Sequence, residues 1–295
     1  MCGIVGAGFR DPNGIGEKLY EMSRALQHRG TDSAGYAIYG GLQLAENEYI
    51  ITCEVLGNTD EIYRAITAEI KKQEELSSQV RRYTVFASSY DHVRKIVENL
   101  NQINGVSVLG GGKFEMIKDI GRVDELEKTF GISQKHGSHG IGHTRFSTES
   151  SVDRYHAHPF QSYVYPDITV VHNGQITNVN KLRHKLEALG HAFTTSNDTE
   201  VIVHYIADKL NNGAPLEEAL SDSVREMDGP FTYMIATHEG LGIVKDKLAM
   251  RPAIIYETKD MFAAASEKVA LESIAPDGPF EVLADGEYRV FRVKK

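Results

Sequence analysis

The hydrophobic positions of the first forty residues follow two different periods. Residues 3–9 and 35–39 are continuously apolar or small, which is typical of buried strands. Between them, Leu19, Met22 and Leu26 recur at helical spacing. The pattern predicts a strand, an amphipathic helix and a second strand that belong to the core of the protein.

The segment from about residue 45 to residue 130 is richer in charged positions. Residues 60–79 and 91–100 have the pattern of charged helices, and residues 83–87 form a short β-type run. Because strand and helix patterns alternate within the segment, it predicts a small α/β insertion with a structure of its own.

Apolar runs typical of strands return in series after Gly137, and helical segments separate them. The runs read GIGHTRF, ITVVHNG, FTYMIAT, GLGIVKD, AIIYE and MFAAAS. One of the helices carries its apolar residues on a single face and has a glycine as its expected C-cap: Val179, Leu182, Leu186, Leu189 and then Gly190. Sheets covered by helices in this order predict the α+β fold class.

The composition and the net charge of the chain exclude some classes of protein. The 295 residues include 41 acidic and 32 basic side chains, for a net charge of −9, and 41% are hydrophobic. These values are typical of a globular protein of one large or two small domains. Without a long Lys/Arg cluster, the chain lacks the positive surface of a duplex-binding or membrane-surface protein. We therefore expect neither nucleic acid nor a membrane as a partner.

The apolar runs and the cysteines of the sequence predict where in the cell the protein is located. The chain has no apolar run of about 18 residues and no basic segment followed by a hydrophobic one at its start, so neither a membrane span nor export is expected. Cys2 and Cys53 could form one disulfide at most and belong to no CxxC pair, which favours a reducing compartment. The sequence thus predicts a cytoplasmic protein.

Two glycine clusters resemble phosphate-binding loops only in part. Residues 6–8 lack the third glycine of a dinucleotide fingerprint, since Asp11 stands in its place, and residues 110–112 lack the spacing and the Ser/Thr of a P-loop. We expect both clusters to be turn glycines.

Cys2 stands directly behind the initiator Met1 and before the first predicted strand. Aminopeptidase tolerates small second residues, and once Met1 is removed Cys2 carries a free α-amine beside its thiol. The reference pKa of an α-amine is about 7.7 to 8.0, so part of it is neutral at physiological pH and accepts the thiol proton. The arrangement predicts a nucleophile that needs no separate histidine base. The alternative is a small buried residue of the first strand.

Six separated segments accompany this cysteine: MCGIVG, LQHRGTDSAGYAI, GIGHTRFST, VHNGQITN, SNDTEV, and the pair DGPFTYMIAT with KDKLAMRPAIIY. Through them the chain resembles the class II glutamine amidotransferases, N-terminal-nucleophile hydrolases that release ammonia from glutamine. The resemblance implies one such domain over residues 1–295, interrupted by the α/β insertion at about 45–130. It also implies a four-layer αββα sandwich, with two antiparallel sheets face to face, helices outside, and Cys2 at the end of an inner strand.

Glutamine offers an α-carboxylate and an α-ammonium to a binding site. Arg145 has the planar, two-pronged donor that suits a carboxylate, and the resemblance assigns it that role with Thr148 assisting nearby. The carboxylate of Asp198 accepts from an ammonium, and the resemblance assigns it to the α-ammonium of glutamine. Two alternatives stay open: Asp198 as a helix N-cap, and Arg145 as an ordinary solvated arginine.

Acyl transfer passes through a tetrahedral oxyanion that needs fixed hydrogen-bond donors. Asn173 and Gly174 in VHNGQ match the pair that supplies them in the family, the first through its side-chain amide and the second through its backbone N–H. The alternative is a plain Asn-Gly turn between two strands. Arg29 and Gly30 in QHRGTDSAG would, by the same resemblance, frame the nucleophile.

His156 and His158 in YHAHPF are candidate metal ligands, because two residues apart on a strand they would face the same side. No partner pair with zinc spacing occurs elsewhere in the sequence, and thiol hydrolysis of an amide requires no metal. We expect no metal site, and polar histidines with satisfied hydrogen bonds near the substrate loop.

The resemblance is not uniform along the chain. Gly35 and Gly142 are much further apart than in most domains of the family, and Glu149 stands where the glucosamine-phosphate synthases have a histidine. The run FEMIKDIGRVDELEKTFGISQKHGSHGIGHTRFSTESSV, with HAHPF and KDKLAMRPAIIY, looks most like the stand-alone amidotransferase subunits of split glutamate synthases and the related N-methylglutamate synthases.

By this resemblance the chain is the glutamine-hydrolysing, ammonia-donating subunit of a multi-subunit glutamate synthase-like enzyme, acting through a γ-glutamyl thioester on Cys2. The expected partners are glutamine and a separate synthase subunit that receives the ammonia through an internal channel, because the motifs end near Glu267 and leave little chain for an acceptor site. We expect no cofactor in this chain, and the resemblance implies flavin and iron–sulfur groups on partner subunits.

Three alternatives to this function remain open. The first is the amidotransferase subunit of an N-methylglutamate synthase, and the second is an amidophosphoribosyltransferase-like protein. The third is a catalytically silent subunit that senses glutamine. The insertion is either a docking or regulatory element or a surface decoration.

Overall fold

The structure of the protein is a computed structural model that describes residues 2–57, 60–147, 151–248 and 250–293, with only the backbone described at 11–13. Its strands are, in chain order, β1 Gly3–Asn13, β2 Ser33–Tyr39, β3 Glu48–Val55, β4 Ile70–Glu75, β5 Val80–Phe86, β6 Val106–Gly112, β7 Phe114–Ile120, β8 Gly137–Arg145, β9 Phe160–Ser162, β10 Ile168–Gly174, β11 Phe231–Thr237, β12 Gly240–Lys245, β13 Ile254–Glu257, β14 Met261–Ala265, β15 Phe280–Val282 and β16 Tyr288–Arg292. Its α-helices are α1 Ile15–Ala25, α2 Asp60–Ile66, α3 Tyr90–Asn101, α4 Val123–Phe130, α5 Val179–Ala188, α6 Asp198–Asn211, α7 Leu216–Glu226 and α8 Lys268–Glu272.

Two antiparallel sheets pack face to face in the centre of the molecule. One has seven strands in the order β15-β13-β14-β1-β8-β2-β7, and the other has five in the order β16-β12-β11-β10-β9. The layer between them is apolar because alternate residues of each strand point inward. The buried side chains of this layer include Ile4, Ala37, Ile141, Val171, Met234 and Ile243.

Helices cover the outer face of each sheet. Leu19 and Met22 of α1 pack with Val5 and Tyr36, which are on the opposite strand face from Ile4 and Ala37. Helices α5, α6 and α7 cover the five-stranded sheet in the same way, through the buried residues Leu182, Val201, Ile202, Ala219 and Leu220. The chain is thus a four-layer αββα sandwich, which confirms the predicted α+β class.

Residues 48–57 and 60–112 form a separate four-stranded sheet in the order β4-β5-β3-β6, with α2 and α3 packed on it. We call these residues the four-stranded unit. The segment expected to be inserted ran further, to about residue 130. The last part of it, β7 and α4, belongs to the large sandwich instead, because β7 pairs with β2 and Leu126 of α4 packs into the core around α1.

One helix prediction is wrong in part. The helix expected over residues 60–79 ends at Ile66, and Ile70–Glu75 form strand β4, which pairs with β5. Strand β4 is an edge strand with the sequence IKKQEE, and its side chains are mostly half-exposed or exposed. Charged edge strands are common, and their sequences resemble a solvated helix. Only the pairing with β5 distinguishes the two.

The two glycine clusters were expected to be turns, and this prediction is wrong. They lie within strands β1 and β6. A Cβ atom on Gly8 would lie 2.7 Å from a ring carbon of Phe291, and one on Gly110 would lie 2.5 Å from the Cβ of Met116. Both contacts are closer than carbon atoms approach without displacement. These glycines therefore allow close packing of neighbouring side chains on the sheets.

Among the helices of the described ranges, none is both long enough and apolar enough to cross a lipid bilayer.

Candidate active site

Cys2 lies at the end of an inner strand, as expected. It directly precedes β1, in which Gly3 pairs with Thr144 of the neighbouring strand β8. The backbone N–H of Phe146 donates to Cys2 Sγ at 3.4 Å, and Sγ lies 3.6 Å from the carbonyl oxygen of the same residue. The half-buried thiol is thus placed beside the end of β8, where Arg145 lies.

The environment of Cys2 sets its protonation state. Burial raises the pKa of the thiol, while the backbone hydrogen bond from Phe146 and the charges of Arg145 and Arg29 act in the opposite direction without cancelling it. The resting side chain is therefore a thiol at neutral pH. A nucleophilic attack from this residue requires a base that removes the proton during the reaction.

Arg29 contacts Cys2 directly, and Gly30 packs against the end of β8. Arg29 Nε donates to the carbonyl oxygen of Cys2 at 2.8 Å, and its Nη1 forms an ion pair with Glu267 Oε1. A Cβ atom on Gly30 would lie 2.4 Å from the carbonyl carbon of Arg145, so no other residue fits there without displacing β8. Neither residue is among those that line the cavity described below.

Asn173 lies near the end of β10, in the five-stranded sheet, and contacts Cys2, which directly precedes β1 of the facing sheet. Its side chain points to the inter-sheet side, as Val171 does two residues earlier, and its Nδ2 donates to the carbonyl oxygen of Cys2 at 3.0 Å. An amide nitrogen carries two hydrogens, so one donor is used on Cys2 and the second is available to a substrate.

Gly174 N–H points away from strand β11. Gln175 N donates to Pro230 O at 3.0 Å, which makes Gly174 and Phe231 a non-hydrogen-bonded antiparallel pair. The neighbour on the other side, β9, pairs with Ile168–Val170, well short of this end of β10. Gly174 has a φ of 142°, and a Cβ atom there would lie 2.1 Å from Pro230 O. Both facts explain why a glycine occupies this position. The alternative of an Asn-Gly turn is wrong, because both residues are in β10.

Arg145 is not a solvated surface residue, which excludes that alternative. It is 3% exposed, its Nη1 donates to Ser151 O at 2.9 Å, and its own carbonyl oxygen accepts from Asp32 N at 3.0 Å. Asp32 Oδ2 also accepts from Ser147 N at 2.7 Å, so this aspartate holds the chain where it leaves β8. Thr148, expected to assist Arg145, lies outside the described residues, as does Met1.

Asp198 is the first residue of α6, but it does not cap the helix. Asn197 is the N-cap, and its side chain accepts from Thr199 N at 2.9 Å. The capping alternative for Asp198 is therefore wrong. Its Oδ2 accepts from Ile176 N at 3.0 Å, and its Oδ1 lies 3.4 Å from His172 Nδ1. Burial acts to raise the pKa of this carboxyl, but His172 and the backbone donors hold it below its usual value.

A cavity of about 620 Å³ brings most of the expected residues together. Its lining includes Cys2, Arg145, Asn173, Gly174 and Asp198. A thiol, a side-chain amide, a glycine backbone, a guanidinium and an ionised carboxylate thus line one space, and groups of these kinds can bind an α-amino acid and attack its side-chain amide.

Two histidines of the cavity wall were not singled out from the sequence as site residues for glutamine. His158 Nε2 lies 2.9 Å from Thr199 Oγ1, and His172 Nδ1 lies 3.2 Å from the same oxygen. Burial lowers the pKa of His158 well below its usual value, so this ring is neutral. The sequence did contain a signal for His172, because it directly precedes Asn173 in VHNGQ. Alternation along a strand places it on the opposite face of β10, toward α6.

His156 and His158 both precede strand β9, so the strand geometry expected for them is absent. They contact different residues: His156 Nδ1 lies 2.8 Å from Asp153 Oδ1, whereas His158 contacts Thr199. In the part of the chain that the structure describes, no group of three or more His, Cys, Asp or Glu side chains is placed to hold a metal ion.

The comparisons with known proteins agree with this geometry. A family model described as a glutamine amidotransferase domain matches residues 143–273. A protein of Methanothermobacter thermautotrophicus, provisionally named a glutamine amidotransferase, is 48% identical over 99% of this chain and 100% of that protein. The glutamine amidotransferase-like protein GlxB of Rhizobium meliloti is 34% identical over 94% of this chain and 92% of that protein.

The fold also matches a solved structure, that of glutamine phosphoribosylpyrophosphate amidotransferase from B. subtilis complexed with ADP and GMP. The TM-score is 0.65 at 20% identity, and the match covers 99% of this chain but 47% of that one, so the chain spans about half of its length. The fold is that of the N-terminal-nucleophile hydrolases. Within that class, the chain belongs to the class II glutamine amidotransferases, and it is an enzyme that takes ammonia from glutamine.

Proposed function

We propose that this chain hydrolyses glutamine through a γ-glutamyl thioester on Cys2 and passes the ammonia to a separate synthase subunit of a glutamate synthase-like enzyme. The observation that carries the hydrolytic half is the cavity of about 620 Å³, in which the Cys2 thiol shares one space with Arg145 and Asp198. The two charged groups match the two charges of an α-amino acid.

Binding of glutamine uses these two charges. The guanidinium of Arg145 grips the α-carboxylate with two parallel hydrogen bonds, and Thr148 assists. The ionised carboxylate of Asp198 accepts from the α-ammonium, and its lowered pKa keeps it charged at neutral pH. The side-chain amide of the bound glutamine then extends toward Cys2 Sγ.

Thioester formation begins when the α-amine of Cys2, freed by removal of Met1, takes the thiol proton. The sulfur attacks the amide carbon, and the negative charge on the carbonyl oxygen is stabilised by Asn173 Nδ2 and Gly174 N–H. When the tetrahedral intermediate collapses, the C–N bond breaks and the ammonium of Cys2 gives its proton to the leaving nitrogen. Ammonia and a γ-glutamyl thioester result.

Hydrolysis of the thioester repeats these steps with water. The α-amine takes a proton from the attacking water, the same donors stabilise the second oxyanion, and the C–S bond breaks. The sulfur recovers the proton and glutamate leaves. The sum is glutamine plus water to glutamate plus ammonia.

A partner at the mouth of the cavity is supported by exposed apolar side chains. Phe146 lines the cavity and is 50% exposed, and Val152 follows on the same stretch of chain at 52%. Leu248 and Met250, at 60% and 66% exposed, shortly precede Arg251 in the chain, and Arg251 also lines the cavity. Exposed apolar side chains are frequent at protein interfaces. Flavin and iron–sulfur groups for the synthase reaction are proposed for the partner subunits.

The first experiment tests the chemistry on the purified, methionine-trimmed chain. A diazoketone analogue of glutamine should add one adduct at Cys2, found by mass spectrometry of the peptides, and Cys2→Ala should abolish both the adduct and glutamine turnover. A trimmed chain, supplied with its synthase, that forms no adduct contradicts the thioester. A silent glutamine-sensing subunit would bind glutamine and still form no adduct.

The second experiment tests the partner. The chain is purified from its native host under gentle conditions and the co-purifying subunits are identified. A flavin-containing synthase that aminates 2-oxoglutarate supports the proposal. A synthase that aminates methylamine-derived substrates, or a phosphoribosyl acceptor enzyme, assigns the chain to one of the alternatives. Vigorous glutaminase activity from an unpartnered monomer contradicts ammonia transfer.

A further inference from the structure

Residues 151–159, which we call segment 151–159, connect to Arg145 at one end and to the cavity wall near the other. Arg145 Nη1 donates to Ser151 O at 2.9 Å, and His158, near the other end of the segment, lines the cavity. The position of segment 151–159 therefore affects both the guanidinium proposed to grip glutamine and the wall of the cavity.

Arg154 joins this segment to two other parts of the molecule. Its Nη1 donates to Glu54 Oε1 at 2.5 Å and to Gln79 Oε1 at 2.7 Å, and its Nε lies 2.6 Å from Asp119 Oδ1. Glu54 and Gln79 belong to the four-stranded unit, whereas Asp119 is in β7 of the seven-stranded sheet. One side chain thus connects the glutamine site, the four-stranded unit and the main sandwich.

These ion pairs are shielded from solvent. The side chains of Arg154, Glu54 and Asp119 are each only 13% exposed. Two carboxylates on one planar guanidinium hold it in a single orientation, and salt screens such pairs weakly. Removing Arg154 leaves two carboxylates without their counter-charge in a poorly solvated place, whereas removing Glu54 leaves the guanidinium paired with Asp119 alone.

Strand β7 holds the second half of the segment directly. Lys118 Nζ donates to Tyr155 O at 3.3 Å and to Ala157 O at 3.1 Å, and Asp119 is its neighbour in the strand. The first half, residues 151–154, is held by Arg145 at one end and by Arg154 at the other. The contacts of Arg154 with the four-stranded unit therefore act on the part of the segment that touches Arg145.

We propose that Arg154 is a positioning residue for the glutamine site, through which the four-stranded unit, by way of Glu54, sets the affinity of the enzyme for glutamine. The inference rests on the proposed role of Arg145 in binding the carboxylate of glutamine. Segment 151–159 holds Arg145 in its binding orientation only while Arg154 is paired with both carboxylates, because Asp119 alone ties it to β7 and not to the four-stranded unit.

The test measures glutamine affinity separately from turnover. Arg154→Met and Glu54→Gln are made in the full chain, and glutamine binding is measured by calorimetry in the Cys2→Ala background, which forms no thioester. We expect the dissociation constant to rise about tenfold, equivalent to about 1.4 kcal/mol. In chains that keep Cys2, KM for glutamine should rise by a similar factor while kcat at saturating glutamine stays within about twofold.

A matched control comes from a second buried ion pair that links the same two parts. Arg82 of the four-stranded unit lies 2.5 Å from Glu115 of β7, with both side chains 9% exposed. This pair does not involve segment 151–159. Glu115→Gln should therefore lower the melting temperature as Glu54→Gln does but leave glutamine affinity unchanged. Arg154→Lys, which keeps the charge, should restore part of the affinity lost in Arg154→Met.

The outcomes separate this inference from the proposed function. Unchanged glutamine affinity in Glu54→Gln and in folded Arg154→Met, with the Cys2→Ala reference binding normally, overturns the inference alone. Equal losses of affinity in Glu54→Gln and Glu115→Gln also overturn it, because a general loosening of the interface then explains both. A Cys2→Ala chain that does not bind glutamine overturns the proposed function, and the inference with it.

Discussion

Replacing Asn173 by alanine removes two hydrogen-bond functions that a single amide nitrogen supplies. One N–H of Nδ2 donates to the carbonyl oxygen of Cys2 at 3.0 Å, and the other is proposed to stabilise the oxyanion. The two functions have separate readouts, because the first contributes to the stability of the resting enzyme and the second only to the transition state.

The stability cost should be small for a reason specific to this site. The carbonyl oxygen of Cys2 also accepts from Arg29 Nε at 2.8 Å, so it keeps a partner when Asn173 is lost. Without an orphaned acceptor, the free energy of unfolding should fall by about 0.5–1.5 kcal/mol, the net value of one hydrogen bond. Loss of an oxyanion donor costs far more, about 10²–10³ in kcat, or about 2.7–4 kcal/mol in the activation free energy.

The assay is steady-state glutamine hydrolysis, followed by glutamate release, beside urea unfolding of the same variant. We expect kcat to fall at least a hundredfold with KM for glutamine within about threefold, because Asn173 contacts neither charged end of the substrate in the proposed binding mode. Asn101→Ala is the control, since Asn101 Oδ1 accepts from Val108 N at 2.8 Å far from the cavity. It should lose at least as much stability, because Val108 N loses this acceptor, but without loss of kcat. An Asn173→Ala variant with kcat within threefold of the unmodified enzyme refutes the oxyanion assignment.

Three further predictions follow from the site and its surroundings. Arg145→Ala should raise KM for glutamine at least tenfold with a smaller effect on kcat, because the carboxylate is held in both the ground state and the transition state; a fall in kcat alone in the steady-state assay would contradict the assignment. Gly30→Ala should destabilise the protein by about 1–3 kcal/mol in urea unfolding, because its Cβ would overlap the backbone of Arg145, whereas Gly14→Ala meets no atom within 4 Å and should have little effect. Burial lowers the pKa of His139 to about 4 and that of His143 to about 3, so the unfolded chain binds more protons as pH falls below 6.5. Each of these two histidines should remove about 1.4 kcal/mol of unfolding free energy per pH unit between about 6 and 4, measured by urea titration at several pH values, and a profile that is flat over that range would contradict their burial as neutral rings.

Strands buried on both faces were the most predictable elements. The runs ITVVHNG and FTYMIAT coincide with β10 and β11 residue for residue, because continuous apolar runs have one good solution in a sandwich core. The helix predicted around Leu182 and Leu186 is α5, and Gly190 follows its end with a φ of 92°, although Leu189 takes the C-cap position itself.

Elements whose identity depends on distant partners were less predictable. Strand β4 has the sequence of a charged helix, and its pairing with β5 makes it an edge strand. The glycines at 6–8 were interpreted as turn residues because local sequence cannot report that the Phe291 ring, nearly three hundred residues away along the chain, occupies the space of a side chain. The limits of the inserted segment depend likewise on whether β7 pairs with β2.

The residue types along the chain specify much of the chemistry available to this protein. Cys2, Arg145, Asn173 and Asp198 carry side chains that suit the proposed roles, because a functional group is a property of the residue type. The resemblance of the six segments to the family assigned each group to its role, including the backbone N–H of Gly174. The roles proposed for them remain predictions that the experiments above test.

How these groups are held, and which other residues they contact, depends on the packing of the whole chain. Asn197 rather than Asp198 caps α6, which leaves the carboxylate of Asp198 to face the cavity. Glu54 and Arg154 are 100 positions apart in the chain, yet they meet in one shielded ion pair beside the glutamine site. Such contacts follow from the packing of whole sheets, where the free energy is shared among many residues, and no local pattern in the sequence encodes them.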